Sequence, residues 1–152
     1  RKFILKIPFF KTFTDHELNK LIGKQKVFKD CARGGYIFKE GDPGTSLFVL
    51  LMGQLDLVKK GKGGKESIIL QLKTGALFGE VAMLTGHKRN LDARASSAKV
   101  VVMEFSRQFI DKMIPSVQQK FEKQLLFIIA TNLDKMNDRY AKLEESIEAK
   151  KK

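Results

Sequence analysis

A glycine, an acid and an arginine lie close together in an otherwise apolar stretch of this 152-residue chain. Gly79 and Glu80 end the run ALFGE, and Arg89 follows in the segment VAMLTGHKRN. If a strand ends just before Gly79 and a short helical turn follows, the glycine admits a ligand close to the backbone. The free N–H groups of Val81 and Ala82 then point towards that ligand. Such a turn predicts a cradle for an anion.

The charges on either side of this turn indicate what the cradle holds. A helix start attracts a phosphate through its dipole and free donors, and Arg89 adds a full positive charge. Glu80 repels a phosphate unless its carboxylate accepts hydrogen bonds from neighbouring hydroxyls, which a ribose supplies. The pattern predicts a phosphorylated sugar, with Glu80 on the 2′-hydroxyl and Arg89 on the phosphate. A Glu80–Arg89 salt bridge that closes a loop without ligand is the alternative.

The elements that must position these residues begin with a short helix. Residues 14–24, TDHELNKLIGK, predict this helix because Thr14 and Glu17 fit a capping box and apolar residues recur on one face. That face consists of Leu18, Leu21 and Ile22. We expect the aromatic segment IPFFKTF before it to pack against the core.

From about residue 25 to 105 the hydrophobic period is that of strands. The runs are QKVFK, YIFKE, SLFVLLM, QLDLVKK, ESIILQL and KVVVMEF. They are rich in β-branched and aromatic residues, and glycine-containing turns separate them every eight to twelve residues or so. This spacing favours an antiparallel barrel or sandwich, with GKGG at residues 61–64 as a hairpin tip.

After Phe105 the helical period returns. Ser106 is placed to cap a short helix, and Pro115 ends it and suits the first turn of a longer one. The longer helix carries apolar residues spaced alternately by three and four, which is a heptad seam. We call this set the seam: Leu126, Ile129, Leu133, Met136, Tyr140, Leu143 and Ile147. It predicts a parallel homodimer, with packing on the chain's own barrel or fraying as alternatives.

Composition limits the class of protein. The chain has 43% hydrophobic residues, enough for one substantial core, and we expect a barrel with short flanking helices over residues 1–114 and a long helix over 115–152. It has no apolar run of 18 residues and does not open on a charged-then-apolar segment, so we expect neither a membrane span nor a secretory leader. Its single cysteine, Cys31, suits a reducing compartment, and we therefore expect a cytoplasmic protein. Because the chain starts at Arg1, we also expect a fragment of a longer protein.

Two further classes are disfavoured. The net charge of +12 is spread over scattered lysines without a recognition pattern, so a solvated surface is favoured over nucleic-acid binding, and no membrane contact is expected. The only histidines, His16 and His87, belong to no nucleophile motif or metal-ligand spacing, and Cys31 has no catalytic context. We therefore expect a binding module rather than an enzyme, without cofactor or metal.

Two motifs in this order resemble those of cyclic-nucleotide-binding domains. ALFGEVAMLTGHKRNLDARA resembles the family's phosphate-binding cassette, in which FGE, a short helix, an arginine, small residues and a closing alanine follow each other. GGYIFKEGDPGTSLFVLLMGQLDL is similar to its glycine-punctuated stretch, and the matching positions are Gly35, Ile37, Gly41, Asp42, Gly44, Phe48, Leu50 and Gly53. The family includes catabolite activator protein, protein-kinase regulatory subunits and cyclic-nucleotide-gated channels.

The resemblance implies an α+β fold and a ligand. The fold is an antiparallel eight-stranded jelly-roll barrel with an N-terminal helix, a short helix inside the cassette and two C-terminal helices, the last long and coiled-coil-like. The ligand is cAMP or cGMP, with Glu80 on the ribose 2′-hydroxyl and Arg89 on the cyclic phosphate. Backbone contacts from Gly79, Val81 and Ala82 and contacts near Asn90 are implied as well. The long helix covers the base in this family, and the candidates here are Met136, Asn137 and Tyr140.

This resemblance predicts a regulatory module that senses cAMP or cGMP and relays binding through its C-terminal helices. The signal would pass to a dimer partner or to an effector domain fused outside this segment. Two alternatives stay open. One is a dimerisation scaffold with an empty pocket, and the other is a sensor fragment of a transcription factor, channel or kinase regulator.

Four positions after the arginine depart from the family pattern. Asn90 stands where Ala, Ser or Thr is usual, and because an amide both donates and accepts, it leaves the choice between bases open. Leu91 and Ala93 replace a smaller and then a larger residue. Asp92 adds a carboxylate that would weaken phosphate binding if it faced inward. Strand alternation turns it away from Leu91 and Ala93, so we expect it to face solvent.

Overall fold

The computed structural model describes residues 2–23 and 27–151. They divide into two compact units, one ending at Ile114 and the other beginning at Pro115. The last residue of the first predicted helix, Lys24, lies outside the described residues. So do Gln25 and Lys26, the first two residues of the first predicted strand.

The first unit opens with short helical turns and one helix. Two 3₁₀ turns, Ile4–Lys6 and Pro8–Phe10, precede helix α1, Asp15–Ile22. The predicted capping box is confirmed, because the Glu17 N–H donates to the Thr14 hydroxyl at 3.2 Å and the Thr14 N–H donates to the Glu17 carboxylate at 2.8 Å.

The aromatic segment before α1 packs into the core, as predicted. Ile7, Phe9, Phe10 and Phe13 are buried, and the ring of Phe10 lies 6.4 Å from that of Phe105. This contact ties the N-terminal turns to the strand that carries Phe105.

Eight strands lie within the described residues, and every pairing between them is antiparallel. One sheet has the order β1-β8-β3-β6 and the other β2-β7-β4-β5. This is a sandwich of two four-stranded sheets, one of the two architectures that the sequence left open. The strands are β1 Phe28–Ala32, β2 Tyr36–Phe38, β3 Ser46–Met52, β4 Leu55–Lys60, β5 Glu66–Leu72, β6 Leu77–Phe78, β7 Asp92–Ala95 and β8 Lys99–Ser106.

The hydrophobic core takes residues from seven of these strands and therefore from both sheets. Each large aliphatic or aromatic side chain buried in this way stabilises the fold by about 1.5–3 kcal/mol relative to its exposed state. Phe48 and Phe78 stack with ring centroids 5.3 Å apart, directly beneath the turn that follows β6. The core comprises Phe38, Phe48, Leu50, Leu55, Leu72, Phe78, Ala93, Ala95, Val100 and Val102.

The predicted hairpin tip joins β4 to β5. Gly63 and Gly64 adopt φ values of 73° and 76°, and the Gly61 N–H donates to the Lys65 carbonyl at 2.7 Å. Strand β5 is the last strand of its sheet, and Ile68 on it is 59% exposed.

The helices after β8 begin where the sequence predicts. The hydroxyl of Ser106 accepts a hydrogen bond from the Phe109 N–H at 3.1 Å and caps α3, Arg107–Asp111. Helix α4 begins at Pro115 and runs to Lys151. Within α4 the seam residues are exposed, except for Ile129, which is half-buried. In the described part of the chain, no helix combines the length and the apolar character that a membrane crossing requires.

Candidate functional site

The candidate site is the segment between β6 and β7, residues 79–90, which we call the cassette. Strand β6 ends at Phe78, and helix α2, Glu80–Thr85, follows after a single residue. That residue, Gly79, has φ 77° in the left-handed region, which favours glycine. No side chain caps the helix, so its first N–H groups donate to no N-cap side chain. The strand, glycine turn and short helix are the order that the sequence predicts.

Arg89 returns from the cassette into the interior and is 5% exposed. Its Nη1 donates to the Gly79 carbonyl at 2.6 Å, and its Nη2 donates to the Ser46 carbonyl. The guanidinium carbon lies 4.3 Å from the ring centroid of Phe38 and 5.6 Å from that of Phe48. The third nitrogen, Nε, is buried and has no hydrogen-bond partner.

The electrostatic environment of Arg89 contains opposing influences. Burial lowers the pKa of its guanidinium, while the negative charges of Glu104, Asp42 and Glu80, in that order, raise it. Both terminal nitrogens bond to neutral carbonyl groups. In the part of the chain that the structure describes, no ion pair joins the positive charge of Arg89 to a carboxylate.

Glu80 is half-buried at the first position of α2. Burial raises the pKa of its carboxyl above the ordinary value of 4.5, while a hydrogen bond from its own N–H and the charge of Arg89 act in the opposite direction. Within the described residues no ion pair joins Glu80 to Arg89, whose bonds go to carbonyls instead. The loop is thus closed by the arginine and the backbone, not by the salt bridge that the sequence left as an alternative.

The remaining predicted contacts of the cassette lie at its surface. Val81 is 62% exposed, and Ala82 is half-buried. Asn90 is exposed, and its carbonyl accepts a hydrogen bond from Lys59 Nζ at 3.0 Å. Lys59 also forms an ion pair with Glu40 at 2.7 Å, so β4 holds the end of the cassette.

The structure brings six of the predicted site residues together in one segment: Gly79, Glu80, Val81, Ala82, Arg89 and Asn90. The other three, Met136, Asn137 and Tyr140, lie in α4, in the second unit, and all three are exposed. Their role over a base stays a prediction.

The expectation that Asp92 faces solvent is wrong, because this residue is 1% exposed. Its Oδ1 accepts a hydrogen bond from the Glu40 N–H at 2.7 Å, and Lys60 Nζ lies 3.5 Å from its Oδ2. Alternation does turn Asp92 away from Ala93, which lies in the core. The loop after β2 and a lysine of β4 cover the outer side of β7. Strand alternation predicts the face on which a side chain lies, but not whether another segment covers that face.

The loop between β2 and β3 supports the cassette, a role that the sequence did not reveal. The Gly41 N–H donates to the Arg89 carbonyl at 2.8 Å, and the Arg89 N–H donates to the Asp42 carbonyl at 2.9 Å. A Cβ on Gly44 would lie 2.4 Å from Ala82 Cβ and 2.7 Å from the His87 carbonyl oxygen. These glycines belong to the second sequence motif. These glycines were the signal that the sequence offered, but the sequence did not show that the second motif contacts the cassette.

Within residues 2–23 and 27–151, no cluster of three or more His, Cys, Asp or Glu side chains is placed to bind a metal ion. His16 and His87 are both exposed.

Comparison with known proteins gives relatives of two regulatory kinds. The chain is 25% identical over 143 residues to mouse cGMP-dependent protein kinase 2, covering 93% of this chain and 18% of the kinase. It is 25% identical over 120 residues to the CRP-like cAMP-activated global transcriptional regulator of Mycobacterium tuberculosis, covering 79% of this chain and 53% of the regulator. The chain thus spans about a fifth to a half of these relatives.

A solved structure shares the fold. The cyclic nucleotide-binding domain from Methylobacillus flagellatus KT superposes with a TM-score of 0.73 at 24% identity, covering 91% of this chain and 78% of that one. The family model described as cyclic nucleotide-binding domain matches residues 28–116, which include both sheets and the whole cassette. This chain belongs to the cyclic nucleotide-binding domain family.

Proposed function

We propose that this chain is a regulatory module that binds cAMP or cGMP and relays binding through its C-terminal helices. The observation that carries the proposal is the unpartnered Nε of Arg89, a buried donor on a charged group. Buried polar groups are almost always hydrogen-bonded, and leaving one unpaired costs about 1–3 kcal/mol. The cyclic phosphate supplies both the missing acceptor and the missing negative charge.

Glu80 makes the proposed ligand a nucleotide rather than a phosphate ion. A phosphate alone would be repelled by a carboxylate at the start of the same helix. The ribose 2′-hydroxyl donates to the ionised carboxylate and removes that conflict. The raised pKa of Glu80 supports a site in which the ligand's hydroxyl replaces lost water, since burial has already weakened the hydration of this carboxyl.

The base is the part of the ligand that the cassette specifies least. The two relatives are named for cGMP and for cAMP. The Asn90 amide both donates and accepts, so it suits either base. In this proposal Met136, Asn137 and Tyr140 of α4 cover the base, and the strands close into a barrel around the sugar and phosphate. Ligand binding then shifts the populations of two helix arrangements according to its affinity for each.

The output of the module is proposed to be a parallel coiled-coil dimer through the seam of α4, or an effector domain fused beyond this segment. The exposed apolar seam supports the dimer, because such a stripe on an isolated helix lacks a partner surface. We propose a binding module without catalytic groups or a resident cofactor.

One observation favours a second candidate, a dimerisation scaffold with an empty pocket. The Gly79 and Ser46 carbonyls hold Arg89 in place without any ligand, so the arginine also has a structural role. A sensor fragment of a transcription factor, channel or kinase regulator differs from the main proposal only in the effector, which lies outside this segment.

Titration calorimetry and thermal unfolding with cAMP, cGMP and 5′-AMP separate these candidates. We expect one of the cyclic nucleotides to bind and to raise the unfolding temperature by mass action. The control, 5′-AMP, carries an extra charge and an open phosphate, so we expect weaker binding. A folded dimer that binds neither cyclic nucleotide establishes the scaffold and overturns the proposed function.

A further inference from the structure

A cavity of about 250 Å³ lies beside Arg89 and is lined by strands of both sheets. Its lining comes from β1, β2, β3, β8 and the loop before β3, together with Arg89, and none of residues 79–82 takes part. Arg89 is thus the cassette residue that lines this cavity. The charged groups in the cavity act on the same guanidinium that is proposed to bind the phosphate.

Among the described residues, Glu104 is one of two acids that line this cavity, the other being Asp42 of the loop before β3. Glu104 lies on β8 opposite Phe48 of β3, and the ring of Phe48 is 5.6 Å from the guanidinium carbon of Arg89. The Glu104 side chain is 24% exposed, so water screens its charge only in part. Of the carboxylates that raise the pKa of Arg89, Glu104 is the largest contributor, ahead of Glu80 in the cassette itself.

The Glu104 carboxylate contacts a lysine rather than Arg89. Lys29 on β1 forms an ion pair with it at 2.7 Å, and the Lys29 side chain is 50% exposed. Lys29 also lines the cavity. The positive charge of Lys29 cancels part of the field that Glu104 exerts on Arg89. The cancellation is incomplete because Lys29 is the more exposed partner and water screens its charge more strongly.

From this arrangement we propose that the Lys29–Glu104 ion pair, outside the cassette, sets the affinity of Arg89 for the cyclic phosphate. Glu104 repels an incoming phosphate through the cavity, and Lys29 limits that repulsion. The two residues thus tune phosphate binding at Arg89 by their electric field, without touching the ligand. The inference rests on the proposed function, since it names a control on the same site.

Two substitutions that remove charges of opposite sign test the inference. Glu104→Gln removes the repulsion, and we expect about threefold tighter binding of the cyclic nucleotide at low ionic strength. Lys29→Met exposes the phosphate to the full field of Glu104, and we expect binding to weaken by about twofold, less because Lys29 is better screened. Calorimetry measures both affinities, and thermal unfolding shows that both variants are folded.

Glu66→Gln is the matched control. Glu66 is also an acid in an ion pair at 2.7 Å, with Arg94, but it does not line the cavity, and we expect parent affinity. Loss of structure can weaken binding but does not tighten it, so the tighter binding of Glu104→Gln is the decisive result. Unchanged or weaker binding of that variant, in a parent that binds, overturns this inference alone. A parent that binds neither cyclic nucleotide overturns the proposed function and this inference with it.

Discussion

The Nη1 atom of Arg89 donates a hydrogen bond to the main-chain carbonyl of Gly79 at 2.6 Å. The residue that opens the cassette is thereby bonded to the residue that closes it. The bond needs a forked donor, because the same guanidinium also reaches the Ser46 carbonyl on β3. Since a lysine ammonium lacks this planar geometry, the position demands arginine for structure as well as for charge.

Replacing Arg89 tests the proposed phosphate contact. Charge-assisted hydrogen bonds contribute about 1.5–3 kcal/mol, so Arg89→Ala is expected to weaken cyclic-nucleotide binding roughly 10- to 150-fold in calorimetry. The unfolding temperature should fall as well, because two carbonyls lose their donor. Arg89→Lys keeps the charge and is expected to fall between parent and alanine variant. Arg94→Ala, at a partly exposed ion pair with Glu66, is the control with parent affinity. Parent affinity in Arg89→Ala would refute the assignment.

The pH dependence of binding reports on Glu80. Its ionised form accepts the ribose hydroxyl, so affinity is expected to fall as acidification protonates the carboxyl. Because burial raises the pKa of Glu80, the fall should begin at a higher pH than the ordinary value of 4.5 implies. Calorimetry from neutral pH downwards measures it. Glu80→Gln should bind more weakly at neutral pH and lack this step, and the same step in that variant would exclude Glu80 as its origin.

Without ligand, ionisation of Glu80 should have the opposite effect and lower the free energy of unfolding. A carboxyl whose pKa is higher in the folded than in the unfolded chain stabilises the fold fully below the unfolded pKa, and this contribution is lost as pH rises through the folded pKa. Thermal unfolding of the parent and of Glu80→Gln, both without ligand, is compared over the pH interval between the unfolded and the folded pKa of Glu80. The difference isolates the contribution of this carboxyl to stability. A parent whose stability relative to the variant stays constant across the interval contradicts the raised pKa.

Gly44→Ala tests the contact between the β2–β3 loop and the cassette. The new methyl group would meet Ala82 Cβ at 2.4 Å and the His87 carbonyl oxygen at 2.7 Å, so the loop and α2 must move apart. Overpacking of this kind costs about 1–3 kcal/mol in the free energy of unfolding, measured by denaturant titration. We expect weaker nucleotide binding too. Gly61→Ala is the control, since its Cβ meets the Lys65 carbonyl oxygen at 3.4 Å. Equal stability of both variants would show that the loop does not constrain α2.

The seam of α4 is tested by a charge in an apolar position. Leu143 is 58% exposed within the single chain, and burying a leucine contributes about 1.5–3 kcal/mol. Leu143→Lys is therefore expected to raise the dimer dissociation constant roughly tenfold or more, as measured by light scattering after gel filtration. Ala141→Lys places the same charge outside the seam and should leave the dimer intact. A parent that is monomeric at all concentrations removes the dimer from the proposal.

The features that the sequence predicted correctly have local causes. Thr14 and Glu17 form a capping box because they are three residues apart, and Ser106 caps α3 for a similarly local reason. Gly79 and the short helix were predicted from a glycine and a helix start that are adjacent in the sequence. The site segment could be located in this way before any tertiary contact was known.

The features that escaped prediction depend on distant chain segments. Asp92 is covered by Lys60 and the Glu40 backbone, 32 and 52 residues away, and strand alternation describes only the face on which a residue lies. The acceptors of Arg89 are main-chain carbonyls, which every residue possesses and which therefore leave no mark in a sequence. The partner of an arginine is predictable when it is a carboxylate and is hidden when it is backbone.

The guanidinium of Arg89 lies 4.3 Å from the ring of Phe38, a member of the hydrophobic core. The domain therefore keeps a cation against an aromatic side chain of its hydrophobic core, at a distance where cation–π attraction is substantial. A descendant that had lost its nucleotide would still lose stability by giving up this arginine. The arginine by itself is consequently a poor diagnostic of nucleotide binding among related sequences, and the better marker is an acid at the position of Glu80, which forms no hydrogen bond or ion pair with Arg89 in the described residues.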